Sequence, residues 1–418
     1  MRKRERPYAR RRFLKSLGLP MAMAATASSR VPTLASVPER MKITRIRFFH
    51  NPNSRPIFNQ SYNIVTVETD AGITGIGEGG STETVKQCAA MIVGEDPSHI
   101  DRLWQIMFRG YFYPAGREKL DALGAIDLAL WDIKGKALGI PVYEMLGGLS
   151  RNHVECYSTG FPSKGSVRET AHECIQAGFR AYRSSVVDPL EGHAFQSHEI
   201  VRRTFEECVQ IREGVGKEGD WALDYHTRLD MPDAVRLSTL IEPLEPYFAE
   251  DLVRSENAGV YRELRPKVKV PIAVGEQFGA KWDANELIEE QLIDYSRMTL
   301  PNVGGITEYM KIAALCETHY IGLIPHFTGP VAEAALVHAC GAFSGPVMME
   351  MVGETPAPQS HLPESFDFRA GKMYPNRRPG LGVTLDTKPL QLQAEITEKD
   401  RYRVTPIWER PDGSVTNW

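Results

Sequence analysis

Apolar and polar residues follow one another along this chain in two regimes. Between Ile43 and Phe49, Ser61 and Thr69, and Ile73 and Glu78 they take turns with a period near two, and Asp70-Ala71-Gly72 stands as a turn before the third run. That pattern predicts an antiparallel strand meander. Helical periodicity follows from about Ser81 to Val93, from Ile100 to about Phe108 and from Leu120 to Leu138; the last stretch stops at Gly139, with Pro141 beyond it. Three strands and three helices predict an α+β capping domain over residues 39–150. After Gly147-Gly148 short apolar runs alternate with amphipathic stretches. Candidate strands lie at Val154–Ser158, Ala181–Ser185, Trp221–Tyr225, Tyr247–Ala249, Ile272–Val274, Leu292–Met298, Gly322–Pro325 and Val347–Met351. Only the last helix is weak. The expected fold class is α/β, a (β/α)7β modified TIM barrel over 151–370. A C-terminal segment, 371–418, is expected to pack back on the capping domain.

Three of the barrel runs end in a carboxylate. Leu223-Asp224, Ala249-Glu250 and Gly275-Glu276 place acids 26 residues apart, the length of one βα unit. Successive parallel strands would bring Asp224, Glu250 and Glu276 to one edge of the sheet. Like charges converging there repel unless a cation sits among them, and hard oxygen ligands suit Mg²⁺. Each acid taken singly is better explained as a helix cap; three at one period, with a His two residues after the first, favour the metal.

Composition narrows the class. The chain has 418 residues with 42% hydrophobic and 24% charged, as in ordinary globular proteins, and a net charge of −4 offers no basic field for nucleic acid. The six cysteines are scattered without a CxxC pair and read as small buried hydrophobes. No apolar run approaches a membrane span. Residues 1–38 stand apart. Arg10-Arg11-Arg12-Phe13-Leu14-Lys15 precedes a short, weakly apolar stretch, with small-residue cleavage candidates at Ala25-Thr26-Ala27 and Thr33-Leu34-Ala35. The arrangement resembles a twin-arginine export signal and predicts a periplasmic protein with no membrane anchor in its mature form.

The other strand ends add candidate chemistry. Arg183 ends strand two and offers a permanent cation for substrate. Two residues past Asp224 comes His226, and His326 follows Pro325 at the end of strand seven; both suit proton transfer near neutral pH. Glu350 on strand eight is placed to accept a hydrogen bond from substrate or to orient a histidine, and Glu276 to meet substrate as well as metal. One divalent cation with a histidine on each of two strands suits removal of an α-proton followed by loss of a β-hydroxyl. The product is an enol that tautomerises to a 2-keto acid.

At this point the residues resemble the enolase superfamily, in its mandelate racemase/muconate lactonizing enzyme-like branch. The resemblance rests on Gly124-Ala125-Ile126-Asp127 through Lys136, on Gly304-Gly305-Ile306-Thr307-Glu308, and on the acid set Asp224, Glu250, Glu276. Asp224-x-His226 and Trp408-Glu409-Arg410-Pro411-Asp412-Gly413-Ser414 look like the galactonate/mannonate dehydratase group. The resemblance implies His226 as general acid, His326 as general base and an aldonate-type sugar acid as substrate. Mg²⁺-dependent dehydration to a 2-keto-3-deoxy acid through a metal-stabilised enolate would make the protein a hydro-lyase. It also implies substrate-selecting loops around Asn51–Gln60 and a homo-oligomer. Two positions depart from the pattern. Arg183-Ser184-Ser185 stands where many relatives carry Lys-x-Lys, and Thr299 stands where an Asp is expected to pair with the strand-seven histidine. With Thr299 there, Tyr157 and His226 are alternative bases. Epimerisation or cycloisomerisation through the same enolate, and a non-catalytic sugar-acid binding protein, are the competing readings.

Overall fold

The computed structural model describes residues 40–52, 62–110, 112–353, 360–362, 364, 367–400 and 407–416. The expected export signal, its candidate cleavage sites and most of the Asn51–Gln60 loop lie outside the described residues.

The capping region begins with strands β1 (Ile43–His50), β2 (Ile64–Thr69) and β3 (Thr74–Glu78), joined as an antiparallel meander. A fourth strand, Gln391–Ile396, arrives from the far end of the sequence and pairs antiparallel with β1. Helices α1 (Thr82–Ile92), α2 (Ile100–Arg109) and α3 (Arg117–Leu138) cover the sheet. Ser81 starts α1 through a capping box with Thr84, and Gly139, at φ 71°, stops α3 in the left-handed conformation the sequence signalled. The sheet rests directly on α3. A Cβ at Gly77 would lie 1.7 Å from the Ala125 carbonyl oxygen, so only glycine permits that approach.

A short helix α4 (Val142–Met145) leads into the barrel. Its strands are β4 (Val154–Thr159), β5 (Ala181–Ser185), β6 (Asp220–Asp224), β7 (Phe248–Glu250), β8 (Ile272–Val274), β9 (Tyr295–Ser296), β10 (Gly322–Leu323) and β11 (Met349–Val352). Neighbours from β4 to β10 pair parallel in chain order, and β11 pairs parallel with β4. The ring closes where Leu323 bridges Val347. Seven helices fill the connections: α5 (Val167–Gln176), α6 (Ser197–Val215), α7 (Met231–Ile241), α8 (Val260–Leu264), α9 (Lys281–Glu289), α10 (Ile306–Thr318) and α11 (Pro330–Ala342). The weak eighth helix is replaced by a hairpin, Asp367–Arg369 with Lys372–Tyr374, whose second strand adds antiparallel to β4. The architecture is therefore the (β/α)7β barrel.

The barrel interior is filled rather than open. Tyr157, Phe248, Ile324 and Met348 interdigitate there with Ala181, Ala222 and Ala273, large against small. The charged residues of the mouth rest on this plug. All six cysteines are buried and free. No helix among the described residues is long and apolar enough to cross a membrane.

The two glycine-rich signatures meet each other. Asp127 on α3 is fully buried and accepts hydrogen bonds from the Thr307 amide (3.0 Å) and hydroxyl (2.5 Å) at the start of α10. Trp131 donates to the same hydroxyl, and Trp104 donates to the Gly304 carbonyl. Farther along, Glu78 at the end of β3 accepts from the amides of Val331 (2.8 Å) and Ala332 (3.0 Å), taking up orphan donors at the start of α11.

Candidate active site

The carboxyl ends of the barrel strands converge on a cavity of about 780 Å³. Arg183, Asp224, His226, Glu276 and His326 line it. Pairing fixes their heights: Ser185 on β5 stands opposite Asp224, and Asp224 opposite Glu250. Glu276 comes two residues after β8 and reaches the mouth from the turn.

Two buried guanidinium groups cross-link the acids. Arg183 donates through Nη2 to Asp224 Oδ2 (2.5 Å) and Glu250 Oε1 (2.9 Å), and through Nε to Glu250 Oε2 (3.0 Å). Arg297, one residue past β9, is wholly buried. It donates through Nη2 to Glu350 Oε2 (2.7 Å) and Glu276 Oε2 (3.2 Å), and through Nη1 to the Tyr157 hydroxyl. Its Nε lies 2.5 Å from Glu250 Oε1 but off the axis of a hydrogen bond, so the contact is an ion pair only. Planar forks suit this bridging, which a lysine cannot reproduce.

Burial and these charges set the ionisation. Burial works to raise Glu350, but Arg297 and Arg183 outweigh it and hold the carboxyl below its usual range. Glu276 is also lowered: burial opposes ionisation, and His326 and Arg297 overcome it. Glu250 goes the other way, up to about 8, because complete burial exceeds the help of the two arginines. Asp251, the next residue, is pushed well above its ordinary value by burial and then by Glu276 and Glu250. Burial likewise raises the Tyr157 hydroxyl well above its usual value. Tyr157 therefore stays protonated against Arg297 inside the barrel plug, away from the cavity lining, which does not suit a base.

Both histidines stand beside Glu276. His226 Nε2 is 3.8 Å from Glu276 Oε1, and His326 Nε2 is 3.4 Å from Glu276 Oε2. His226 does not get there by strand alternation, because β6 ends at Asp224. The backbone turns left-handed at His226 (φ 47°) and Thr227 (φ 54°), and the His226 amide donates to Asp224 Oδ1 (2.6 Å). Such conformations cost non-glycine residues on the order of 1–3 kcal/mol and collect at functional sites. His326 is oriented without a carboxylate on β9: its Nδ1 lies 2.7 Å from the Phe327 carbonyl oxygen, which can only accept. The proton therefore sits on Nδ1, and Nε2 carries the lone pair. Thr299 is buried, and its hydroxyl makes no hydrogen bond among the described residues. Burial lowers His326, against the pull of Glu350 and Glu276. Glu350 supports the same loop, accepting from the Phe327 amide (3.1 Å) and the Thr159 hydroxyl (2.6 Å).

The structure thus gathers Arg183, Asp224, Glu250, Glu276, His226, His326 and Glu350 in one mouth. Arg183 and Glu350, expected to touch substrate, spend their polar atoms mainly on neighbouring side chains. Asp224 is turned to Arg183 and to its own loop. The group of acids near enough to share an ion is Glu250, Asp251 and Glu276, with ligand atoms within 4.8 Å of one another. Arg297 and Asp251 were missed as site residues. An arginine in a short apolar strand run, Tyr295-Ser296-Arg297-Met298, was the available signal, since such a charge must find buried partners.

A filled barrel with acids and two histidines at its mouth, joined to a meander-and-helix cap, defines a class of acid–base enzymes. The chain belongs to the mandelate racemase/muconate lactonizing enzyme family of the enolase superfamily. The N-terminal domain profile of that family matches residues 45–147, and the enolase C-terminal domain-like profile matches 166–389. It is 34% identical over 394 residues to the D-galactonate dehydratase of Xanthomonas oryzae pv. oryzae, covering 90% of this chain and all of that one. The D-galactonate dehydratase of Pectobacterium atrosepticum is 32% identical over the same span. Among solved structures, a candidate dehydratase of Zymomonas mobilis superposes with a TM-score of 0.78 at 27% identity, covering 85% of this chain and all of that one. A candidate galactarate dehydratase of Agrobacterium radiobacter, with sodium and L-malate bound, gives 0.75 at 26%, covering 90% of this chain and 99% of that one. Within the family the chain is a hydro-lyase.

Proposed function

We propose that the protein dehydrates a sugar acid of the aldonate type to a 2-keto-3-deoxy acid, with a divalent cation, Mg²⁺, at the acid cluster. The observation that carries this reading is the pair of imidazoles, from two different strands, flanking Glu276 at the cavity. The names of the D-galactonate dehydratases point to the substrate class.

The residues present fit a cation. Five carboxylates (Asp224, Glu250, Asp251, Glu276 and Glu350) face two guanidinium groups, which leaves three negative charges in excess when all are ionised. Asp251 Oδ2 is also buried without a hydrogen-bond partner among the described residues. When bound, the cation supplies positive charge where the substrate carboxylate gathers negative charge. His326 Nε2 takes the proton α to that carboxylate. His226 delivers a proton to the β-hydroxyl, which leaves as water, and the resulting enol tautomerises to the keto acid. Arg183 and Arg297 hold the acids in place throughout.

The test is a panel of aldonates, aldarates and uronates incubated with the protein and Mg²⁺ and assayed for keto acid. One or a few acids giving keto acid is the expected result. Deuterium uptake at Cα without keto acid would move the assignment to epimerisation. Binding without exchange or product across the panel would move it to a sugar-acid binding protein.

A further inference from the structure

One wall of the cavity carries an uncommitted amide, that of Asn302. The residue lines the cavity, is 6% exposed, and has its Oδ1 buried without a hydrogen-bond partner among the described residues. Its Nδ2 donates to no described group either. Other polar side chains of the wall are spent on neighbours. Asp224 accepts from Arg183 and from the His226 amide, Arg228 Nη1 stands 3.0 Å from Asp188 Oδ1, Arg254 pairs with Glu256, and Gln277 accepts from Ser255. A buried amide without partners is costly, and a leucine of similar shape would avoid the cost.

The backbone around Asn302 is not slack. It forms the turn between β9 and α10, clamped from the cap. Gly304 N donates to the Pro301 carbonyl (2.9 Å), Gly305 N to the Leu300 carbonyl (3.0 Å), and Trp104 donates to the Gly304 carbonyl (2.8 Å). A Cβ at Gly124 of α3 would lie 2.2 Å from the Pro301 carbonyl oxygen, so helix and turn are in direct contact. The turn also has a defined place in the site. β9 runs between β8, which leads to Glu276, and β10, which leads to His326. Asn302 therefore stands on the His326 side of Glu276, away from the β6 loop that carries His226.

An amide offers an acceptor at one end and donors at the other. Its terminal torsion is soft, so either end can turn to the cavity. A carboxylate only accepts and would leave Oδ1 unpartnered, whereas a hydroxyl donates as well as accepts and can satisfy either end. We propose that Asn302 determines specificity by hydrogen-bonding a hydroxyl that stays on the substrate, on the His326 side of Glu276, and so selects the configuration at that carbon. A site built in this way rejects an analogue that lacks the hydroxyl, because binding it leaves the buried amide unpaired. The inference rests on the sugar-acid substrate of the proposed function, not on its dehydration.

The test is isothermal titration calorimetry of the full chain with Mg²⁺ against D-gluconate, its epimers D-mannonate and D-galactonate, and hexanoate, which keeps the chain length without the hydroxyls. Wild type is expected to prefer at least one hexonate to its epimer and to hexanoate by about tenfold or more. Asn302→Leu is expected to bind hexanoate as wild type does, to weaken the best hexonate by about tenfold or more, and to lose the preference. Its melting temperature is expected to equal or exceed that of wild type, because leucine replaces an amide that had no partner; a clear fall would mark the amide as structural and overturn the assignment. A preference kept in the variant, equal weakening of hexanoate and hexonates, or a wild type that does not prefer any hexonate to hexanoate would each overturn it too. If Asn302→Leu does not fold, Asn302→Ala is measured with the same expectations for binding. Keto acid is assayed separately, so selective binding without turnover would overturn the dehydration reading and leave the role of Asn302 standing.

Discussion

Single residues in this protein reach the site by bending rules that hold elsewhere in the chain. His226 and Asp251 each stand just past a strand end, β6 and β7, in left-handed backbone, which is how two neighbouring loops deliver a histidine and an acid to the same mouth. His326 is oriented by the Phe327 carbonyl rather than by a side chain on β9. A backbone carbonyl fixes the tautomer but adds no full negative charge, so in the proposed reaction an imidazolium formed at His326 would rely on Glu276 and Glu350. Away from the acid cluster, Glu333 and Glu78 also carry a prediction. Among the described residues each has one carboxylate oxygen without a hydrogen bond, and burial raises each from 4.5 to about 8. Because the folded chain holds these protons more tightly than the unfolded chain, their contribution to stability is full below pH 4.5. It is lost as pH rises through about 8. Glu333→Gln keeps the shape without the titration. Thermal unfolding between about pH 5 and pH 9 is expected to show a smaller fall in melting temperature for the variant than for wild type. The same fall in both would contradict this account of Glu333.

At the scale of elements, the join between cap and barrel is made by polar groups buried at helix starts. Asp127 on α3 holds the first turn of α10 through Thr307, and Glu78 on β3 holds the first turn of α11. Removing the Asp127 carboxylate leaves the Thr307 amide and hydroxyl buried without their acceptor, at a cost of about 1–3 kcal/mol for each orphaned group. Asp127→Ala is therefore expected to lower the urea midpoint clearly, and Asp127→Asn, which keeps one acceptor, to lower it less. An unchanged midpoint in Asp127→Ala would show that the join lies elsewhere. The elements themselves were largely legible in the sequence. Runs such as Ala181–Ser185 and Ile272–Val274 coincide with β5 and β8, because a short apolar run between turn signals has few other places to go. Leu292–Met298 shrinks to Tyr295–Ser296, since pairing with β8 and β10, not side-chain type, sets where a strand ends.

For the whole molecule, the family and the mouth of the barrel could be read from motifs, but the wiring of the mouth could not. Periodicity reports which strand end a residue occupies. It does not report which way a guanidinium folds back once eight strands close, and Arg297 meets Glu250, Glu276 and Glu350 only in the closed barrel. The same limit hid Asp251, whose approach depends on a backbone turn rather than on spacing. What the assembled mouth adds is a division of labour. Two arginines neutralise and fix the acids; in the proposed reading a cation balances the remainder, and two histidines are left to move protons. That division is the central claim. It is tested most directly by proton NMR in D₂O with Mg²⁺ and an aldonate that the protein converts, comparing wild type with His326→Asn. The account predicts that the variant still binds the aldonate, as seen by thermal stabilisation, while exchange at Cα and keto-acid formation fall together by about 10²–10⁴-fold. Exchange and product formation at the wild-type rate in His326→Asn would contradict it.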